Sequence, residues 1–370
     1  MDNATRSSCF GQWISFLNVD QVPSVATWYD ANRYVKKLDL WAFLRLFLYA
    51  QVHPFKGLRD LEIAVQNNEA LKSELGLDSI SISQLSRTSE RLNPDIFRRL
   101  FLDLVREVQV KYHRDRPFSP LLGLVKIIDS TTLPLCLSKY AWAKFRKTKA
   151  GVKIHTRRAL VDSDHAYPDD LKMTWASVAN TRELSAFVDD PNVMYVFDRG
   201  YLDLERLDDY CDRKIRFATR LKENATYEVV CDPYDDLDDP RIIRDTWVRL
   251  GSQTKVMRHL VRRIETQDST GNRIVILTND LFAPALERTE LYRHRWQMEL
   301  FFNWMKQHLK LTTRFGTSPN AVENQIYVAR MAYLLMYLLR GQTAANATML
   351  TLQRLLRELM WRPWDAMAHA

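Results

Sequence analysis

Cysteine is scarce in this chain and carries no pattern. The four thiols, Cys9, Cys136, Cys211 and Cys231, have no metal-ligand spacing, which excludes a cysteine-built metal site and fits a reducing cytoplasm. No charged-then-apolar leader opens the sequence. Long apolar runs are also missing. The most apolar stretch, Ile326–Leu339, is short and interrupted by Arg330, so it reads as a buried helix and predicts no membrane partner. One segment lacks acid altogether: Lys139 to Arg158 holds Lys139, Lys144, Arg146, Lys147, Lys149, Lys153, Arg157 and Arg158 with no Asp or Glu. What is present is length and positive charge. The 370 residues suffice for two or three domains, and Lys+Arg exceed Asp+Glu by 53 to 45, a net +8 that suits a polyanion-binding protein.

Two short apolar runs each deliver an aspartate. Leu122–Ile128 reads as a strand with Asp129 near its end, and Val193–Phe197 as a buried strand closing on Asp198 before a Gly turn. A carboxylate leaving a buried strand is costly unless paired or metal-bound, although either could be a turn residue or a helix cap. A third acid, Glu299, stands in the helix-like run Leu291–Leu311 with Tyr292, Arg295 and Lys306. On a continuous helix these four side chains share an arc of roughly 60°. A surface helix with an Arg295–Glu299 pair would show the same spacing. Read together, the three acids predict a cluster of hard oxygen donors, suited to Mg²⁺ or Mn²⁺ rather than zinc.

These motifs resemble those of the insertion-sequence-4 family of bacterial DDE transposases. The resemblance is carried by Asp129-Ser130-Thr131, by Asp198-Arg199-Gly200-Tyr201 and by Tyr292-x2-Arg295-x3-Glu299-x6-Lys306, with Gly151-x-Lys153-x-His155 in support. It implies an α/β fold with a ribonuclease-H-like catalytic core, whose triad Asp129, Asp198 and Glu299 holds two Mg²⁺, with Mn²⁺ able to substitute. It also implies that Tyr292, Arg295 and Lys306 grip phosphates near the cleaved DNA end. Arg199 and Lys153 are added as further DNA contacts. His155 is a weaker candidate, since a strand histidine is often structural.

The chain divides on this reading into a helical DNA-end-binding domain (1–118), a first core segment (119–222) and an all-β insertion (223–280). The Glu299 segment (281–318) and a C-terminal helical region (319–370) follow. Helix starts are read at Ser24, Asp60, Ser83 and Asn93. A helix-turn-helix-like pair is expected at Leu58–Val65 and Ser81–Leu92, the second helix offering Gln84, Ser86, Arg87, Thr88 and Arg91 to DNA. Core strands are expected at 122–128, 151–161, 172–178, 193–198 and 215–221, with helices at 181–189 and 203–213. Tyr140, Trp142 and Phe145 interleave with the basic segment, which suits backbone tracking and base stacking. Trp247 reads as a core aromatic of the insertion, and the Asp232–Asp239 run as a solvated loop.

The expected function is that of an insertion-sequence transposase. It would cleave transposon ends and join the 3′-OH to target DNA, acting in the cytoplasm as a homodimer on double-stranded terminal repeats and target. A metal-dependent nuclease of the same fold, or a catalytically silent DNA-binding regulator, stays open on the residues alone.

Overall fold

In a computed structural model, residues 8–113, 117–163, 165–233, 239–268, 270–343 and 347–368 are described. Within the acidic run Asp232–Asp239, residues 234–238 lie outside them. Local chemistry sets the first helices: α1 (Cys9–Ile14), α2 (Gln21–Trp28), α3 (Leu40–Val52), α4 (Leu58–Asn67), α5 (Glu69–Leu75), α6 (Ile82–Arg91) and α7 (Pro94–Val108). Asn93 caps α7 with Pro94 in its first turn, and Ile96, Phe97, Leu100, Phe101, Leu104 and Val105 form its buried stripe. Ser81 and Gln84 close a reciprocal capping box on α6, worth about 1 kcal/mol. Two expectations change here. Ser24, Asp60 and Ser83 lie inside α2, α4 and α6, whose N-caps are Asp20, Gly57 and Ser81. Between α4 and α6 the polar break is itself helical, as α5, ended by Gly76 in the left-handed conformation at φ 65°. The two helices are therefore not joined by a simple turn.

The strands are β1 (Leu124–Leu135), β2 (Lys144–Arg146), β3 (Lys149–Leu160), β4 (Ala166–Trp175), β5 (Val193–Phe197) and β6 (Arg216–Arg220), then β7 (Tyr227–Cys231), β8 (Ile242–Ser252), β9 (Lys255–Val256), β10 (Val261–Gln267) and β11 (Arg273–Thr278). Helices α8 (Asn180–Leu184) and α9 (Leu204–Asp212) punctuate the first group; α10 (Ala285–Arg293), α11 (Trp296–His308), α12 (Pro319–Arg340), α13 (Met349–Leu359) and α14 (Asp365–Ala368) follow the last strand. One mixed sheet runs β2-β3-β1-β5-β6-β11-β10-β8-β7, with β4 on β3 and β9 on β8. β5 is parallel to both β1 and β6. The strands of residues 223–280 extend this sheet, because β11 pairs antiparallel with β6.

The chain forms two compact units. One contains residues 1–114, 133–151 and 302–370. Its centre is α12, a 22-residue helix capped by Ser318 and buried on nearly every side, including Arg330. Among the described residues no helix is long and apolar enough to cross a membrane. The other unit contains residues 115–132 and 152–301. Every residue of β5 is buried, with Val193, Tyr195 and Phe197 packed among Ile128, Leu184, Leu207, Ile215, Phe217 and Leu277. Each such large apolar side chain contributes about 1.5–3 kcal/mol. That core fixes the strand ends from which the site is built.

Candidate active site

Strand register brings the two aspartates together. β1 and β5 pair in parallel from Leu124↔Val193 to Ile128↔Phe197, so Asp129 and Asp198 follow at matching positions on neighbouring strands. The strands then part. β1 continues to Leu135, so Asp129 lies within a strand and not near its end, whereas the chain turns after Phe197. Asp129 Oδ1 accepts the Ser130 backbone N–H at 2.7 Å, and Asp198 Oδ2 accepts that of Gly200 at 3.2 Å. A Cβ on Gly200 would stand 3.2 Å from Asn180 Nδ2 and 3.5 Å from Asp198 Oδ2, so this turn favours the smallest residue.

The third acid arrives on a broken helix. The expected continuous run Leu291–Leu311 is two helices, α10 ending at Arg293 and α11 starting at Trp296. Across the break Arg295 N bonds Tyr292 O and Met298 N bonds Arg295 O, at 3.0 and 2.9 Å, a tightened three-residue spacing. The 60° arc therefore does not describe the four side chains. Tyr292 belongs to α10, Arg295 to the turn, and Glu299 and Lys306 to α11. The break still has a use: Arg295 reaches Asp129 Oδ2 at 3.1 Å and Glu299 Oε1 at 2.8 Å, bridging both acids. Its guanidinium lies 5.7 Å from the ring centre of buried Tyr292.

Electrostatics show a cluster short of positive charge. Burial, countered by the Ser130 N–H and Arg295 but reinforced by Asp198 and Glu299, pushes the Asp129 carboxyl up to about 6. The Tyr292 phenol is raised to about 12, chiefly by burial, with Asp198 adding to the rise against Arg295. Among the described residues no group of three or more His, Cys, Asp or Glu side chains stands as a ready-made metal cage. Arg295 bonds two of the three acids. The donor chemistry nevertheless fits a divalent cation: Asp198 and Glu299 both act on Asp129, and a single guanidinium is bonded to Asp129 and Glu299.

A polar network flanks the aspartates. Lys153 donates to Val178 O at 2.9 Å and to Asn180 Oδ1 at 3.0 Å, and Ser130 Oγ donates to the same Asn180 oxygen at 3.3 Å. Asn180 escaped the sequence reading. Its available signal was an amide at the entrance of the expected 181–189 helix. His155 is fully buried between Tyr201 Oη and Thr174 Oγ1, at 3.2 and 3.0 Å, and burial lowers it to about 4, so it is a neutral structural group.

The remaining expected DNA contacts spread out. Arg199 is exposed beside Asp198. Lys306, in the last turns of α11, belongs to the other compact unit and is partly buried, which lowers its pKa. Of the basic segment, Lys139, Lys144, Arg146, Lys147 and Lys149 are exposed, the last four on the β2–β3 hairpin. Arg157 and Arg158 are buried instead: Arg157 binds Asp169, Asp189 and Phe187 O, while Arg158 binds Ala166 O and Gln297 O. The aromatics of this segment differ, with Tyr140 buried and Trp142 and Phe145 half-buried. Tyr140 is buried and donates to Gly316 O, and Trp142 donates to Thr317 O. Trp247 is half-buried, edge-on to Phe282 at 5.6 Å.

Comparison with known proteins decides the family. Residues 121–335, which carry all three acids, match the transposase DDE domain. This chain belongs to the DDE transposase family. Residues 5–78 match a domain of unknown function. A probable transposase for insertion sequence element IS5377 from Geobacillus stearothermophilus is 27% identical over 344 residues, covering 92% of this chain and 86% of the relative. Putative transposase y4zB from Sinorhizobium fredii is 33% identical over 218 residues, covering 58% and 60%. A cryo-EM structure of the piggyBac transposase synaptic complex with hairpin DNA aligns with 94% of this chain and 79% of that one, at 10% identity and a TM-score of 0.45. Membership makes this DDE chain a DNA transposase by family, and the domain implies dependence on a divalent metal.

Proposed function

We propose that this DDE transposase cleaves the ends of an insertion sequence and joins the freed 3′-OH to target DNA, using Asp129, Asp198 and Glu299 as its metal-binding catalytic triad. The observation that carries the reading is the convergence of β1, β5 and α11: two acids in parallel register and a third bridged to the first by Arg295. The strand order around β1, β5 and β6 supports a ribonuclease-H-like core, and the Tyr292–Lys306 spacing supports the insertion-sequence-4 group.

Two divalent ions, Mg²⁺ with Mn²⁺ as substitute, held by the three carboxylates would lower the pKa of water and offset charge on the phosphodiester. The protein does the rest. Burial, with repulsion from Asp198 and Glu299, raises the Asp129 carboxyl, so a cation bound there would relieve it. Arg295 serves the acids when DNA is absent and offers a planar two-pronged donor to a phosphate when its carboxylate partners are otherwise satisfied. Tyr292 orients that guanidinium, and Lys306, Lys153 and Arg199 contribute positive charge along the strand. In the first step water adds at phosphorus and the 3′-oxygen leaves with a proton. In the second the 3′-OH attacks a target phosphodiester and displaces another 3′-oxygen. One ester bond replaces another, so joining requires no external energy.

Two ends cut together call for two active sites, and a homodimer on double-stranded terminal repeats is part of the proposal. The test supplies the protein with Mg²⁺, target plasmid and pre-cut 3′-OH ends copied from the DNA flanking its reading frame. Covalent joining that disappears in Asp129→Asn, Asp198→Asn and Glu299→Gln is the expected result. Hydrolysis without joining would reassign the chain as a nuclease, and wild-type-like joining by any one variant would remove that residue from the triad.

A further inference from the structure

We propose that Asn180 is a positioning residue that ties the β1 residue after Asp129 to the turn after Asp198; this rests on the triad reading above. Neither strand can set the gap between the two carboxylates alone, because their pairing ends at Ile128↔Phe197 and β1 then continues while the other chain turns away. Something outside the two strands must hold the acids at fixed separation, and Asn180 is placed to do so.

Its side chain meets the strand on one side and the turn on the other. Asn180 Oδ1 accepts Ser130 Oγ–H at 3.3 Å, and Ser130 is the residue whose backbone N–H donates to Asp129 Oδ1. Its Nδ2 lies over Gly200, 3.2 Å from where a Cβ would be, and Gly200 is the residue whose N–H donates to Asp198 Oδ2. One amide thus backs the two backbone donors that orient the two acids. The amide is itself held, because Lys153 Nζ donates to Asn180 Oδ1 at 3.0 Å and to Val178 O at 2.9 Å. Both of these Lys153 acceptors are neutral, so the lysine fixes the amide without neutralising an acid. Loss of a partner bonded directly to a metal ligand typically changes affinity about 10–100-fold, and Asn180 acts one bond further out, through Ser130.

The acceptor function distinguishes positioning from mere filling of space. Asn180→Asp keeps an oxygen for Ser130 and Lys153, whereas Asn180→Leu keeps only volume. The experiment titrates the full-length protein with Mn²⁺ alone, reading free Mn²⁺ by electron paramagnetic resonance, with a thermal melt of each variant. Expected is an affinity about tenfold weaker for Asn180→Leu and within about threefold of wild type for Asn180→Asp. Ser130→Ala, which cuts one of the two links and is the fallback should Asn180→Leu not melt cooperatively, is expected to weaken binding about threefold. Wild-type affinity in folded Asn180→Leu and Ser130→Ala, with Asp129→Asn abolishing binding, overturns the role of Asn180 and leaves the triad standing. Undiminished Mn²⁺ binding by Asp129→Asn overturns the triad reading itself.

Discussion

Two charged clusters, one around Asp169 on β4 and one around Asp129 on β1, behave in opposite ways. Around Asp169, which is 1% exposed in its side chain, Arg157 donates at 3.0 Å and Lys126 at 2.9 Å. Burial pushes that carboxyl up, but the two cations overcome it and hold it below the usual range. Around Asp129 the balance is reversed. Burial pushes the carboxyl up to about 6, Asp198 and Glu299 add to the rise, and the single guanidinium that bonds Asp129 is shared with Glu299 and does not offset it. A compensated cluster is a fastening. An under-compensated one stores a demand for positive charge, which is what a metal and a phosphodiester together would meet.

The largest effect should come from breaking the compensated cluster. Arg157→Met leaves Asp169 buried with only Lys126 and is expected to cost about 3–5 kcal/mol in chemical denaturation. A loss under about 1 kcal/mol would erase the contrast drawn above.

Breaking the other cluster should do the reverse. Folded Asp129 keeps its proton up to about pH 6, whereas the unfolded side chain releases it near 3.8. Between those values the folded state binds more protons, so stability falls as pH rises through the window. Asp129→Asn is expected to remove that penalty and stabilise the metal-free protein by roughly 1–3 kcal/mol at pH 7. His155, lowered to about 4, works in the opposite sense and loses stability as pH falls from 6.5. The difference between wild type and Asp129→Asn, measured from pH 4 to 7, therefore isolates the aspartate. A variant less stable than wild type at pH 7 would contradict this.

Arg295→Ala removes the one bridging cation and should destabilise the metal-free protein by about 1–3 kcal/mol. Added Mn²⁺ should restore most of that loss. A deficit indifferent to Mn²⁺ would make Arg295 purely structural.

The smallest effect belongs to the exposed hairpin. Lys147→Ala is expected to change stability by less than about 0.5 kcal/mol. It should make the salt dependence of DNA binding shallower by about one unit of slope. An unchanged slope would take that lysine out of the DNA path.

How much of this was legible in the sequence follows the range of the interactions. Asp129 and Asp198 were readable because a buried strand announces itself as an apolar run and an acid within or after it is conspicuous. Strands 149–160 and 193–197, and helices 94–108 and 204–212, were likewise readable from local pattern. The break between Arg293 and Trp296 was not, since apolar periodicity continues across it and only the tightened backbone bonds reveal two helices. Arg157 and Arg158 looked like part of a solvent-facing basic run because their acceptors, Asp169, Asp189 and Gln297, lie 12 to 139 residues away. Asn180 was invisible for the same reason: an amide matters only through what the fold sets beside it.

The most direct test is Mg²⁺-dependent cleavage of a plasmid carrying the DNA that flanks this reading frame, comparing wild type with Asp129→Asn, Asp198→Asn and Glu299→Gln. The account expects cuts at the element's ends by wild type and none by any of the three, with each variant folded and still binding the DNA. Cleavage at the wild-type rate by one of them, or by wild type in the presence of a chelator, would contradict it.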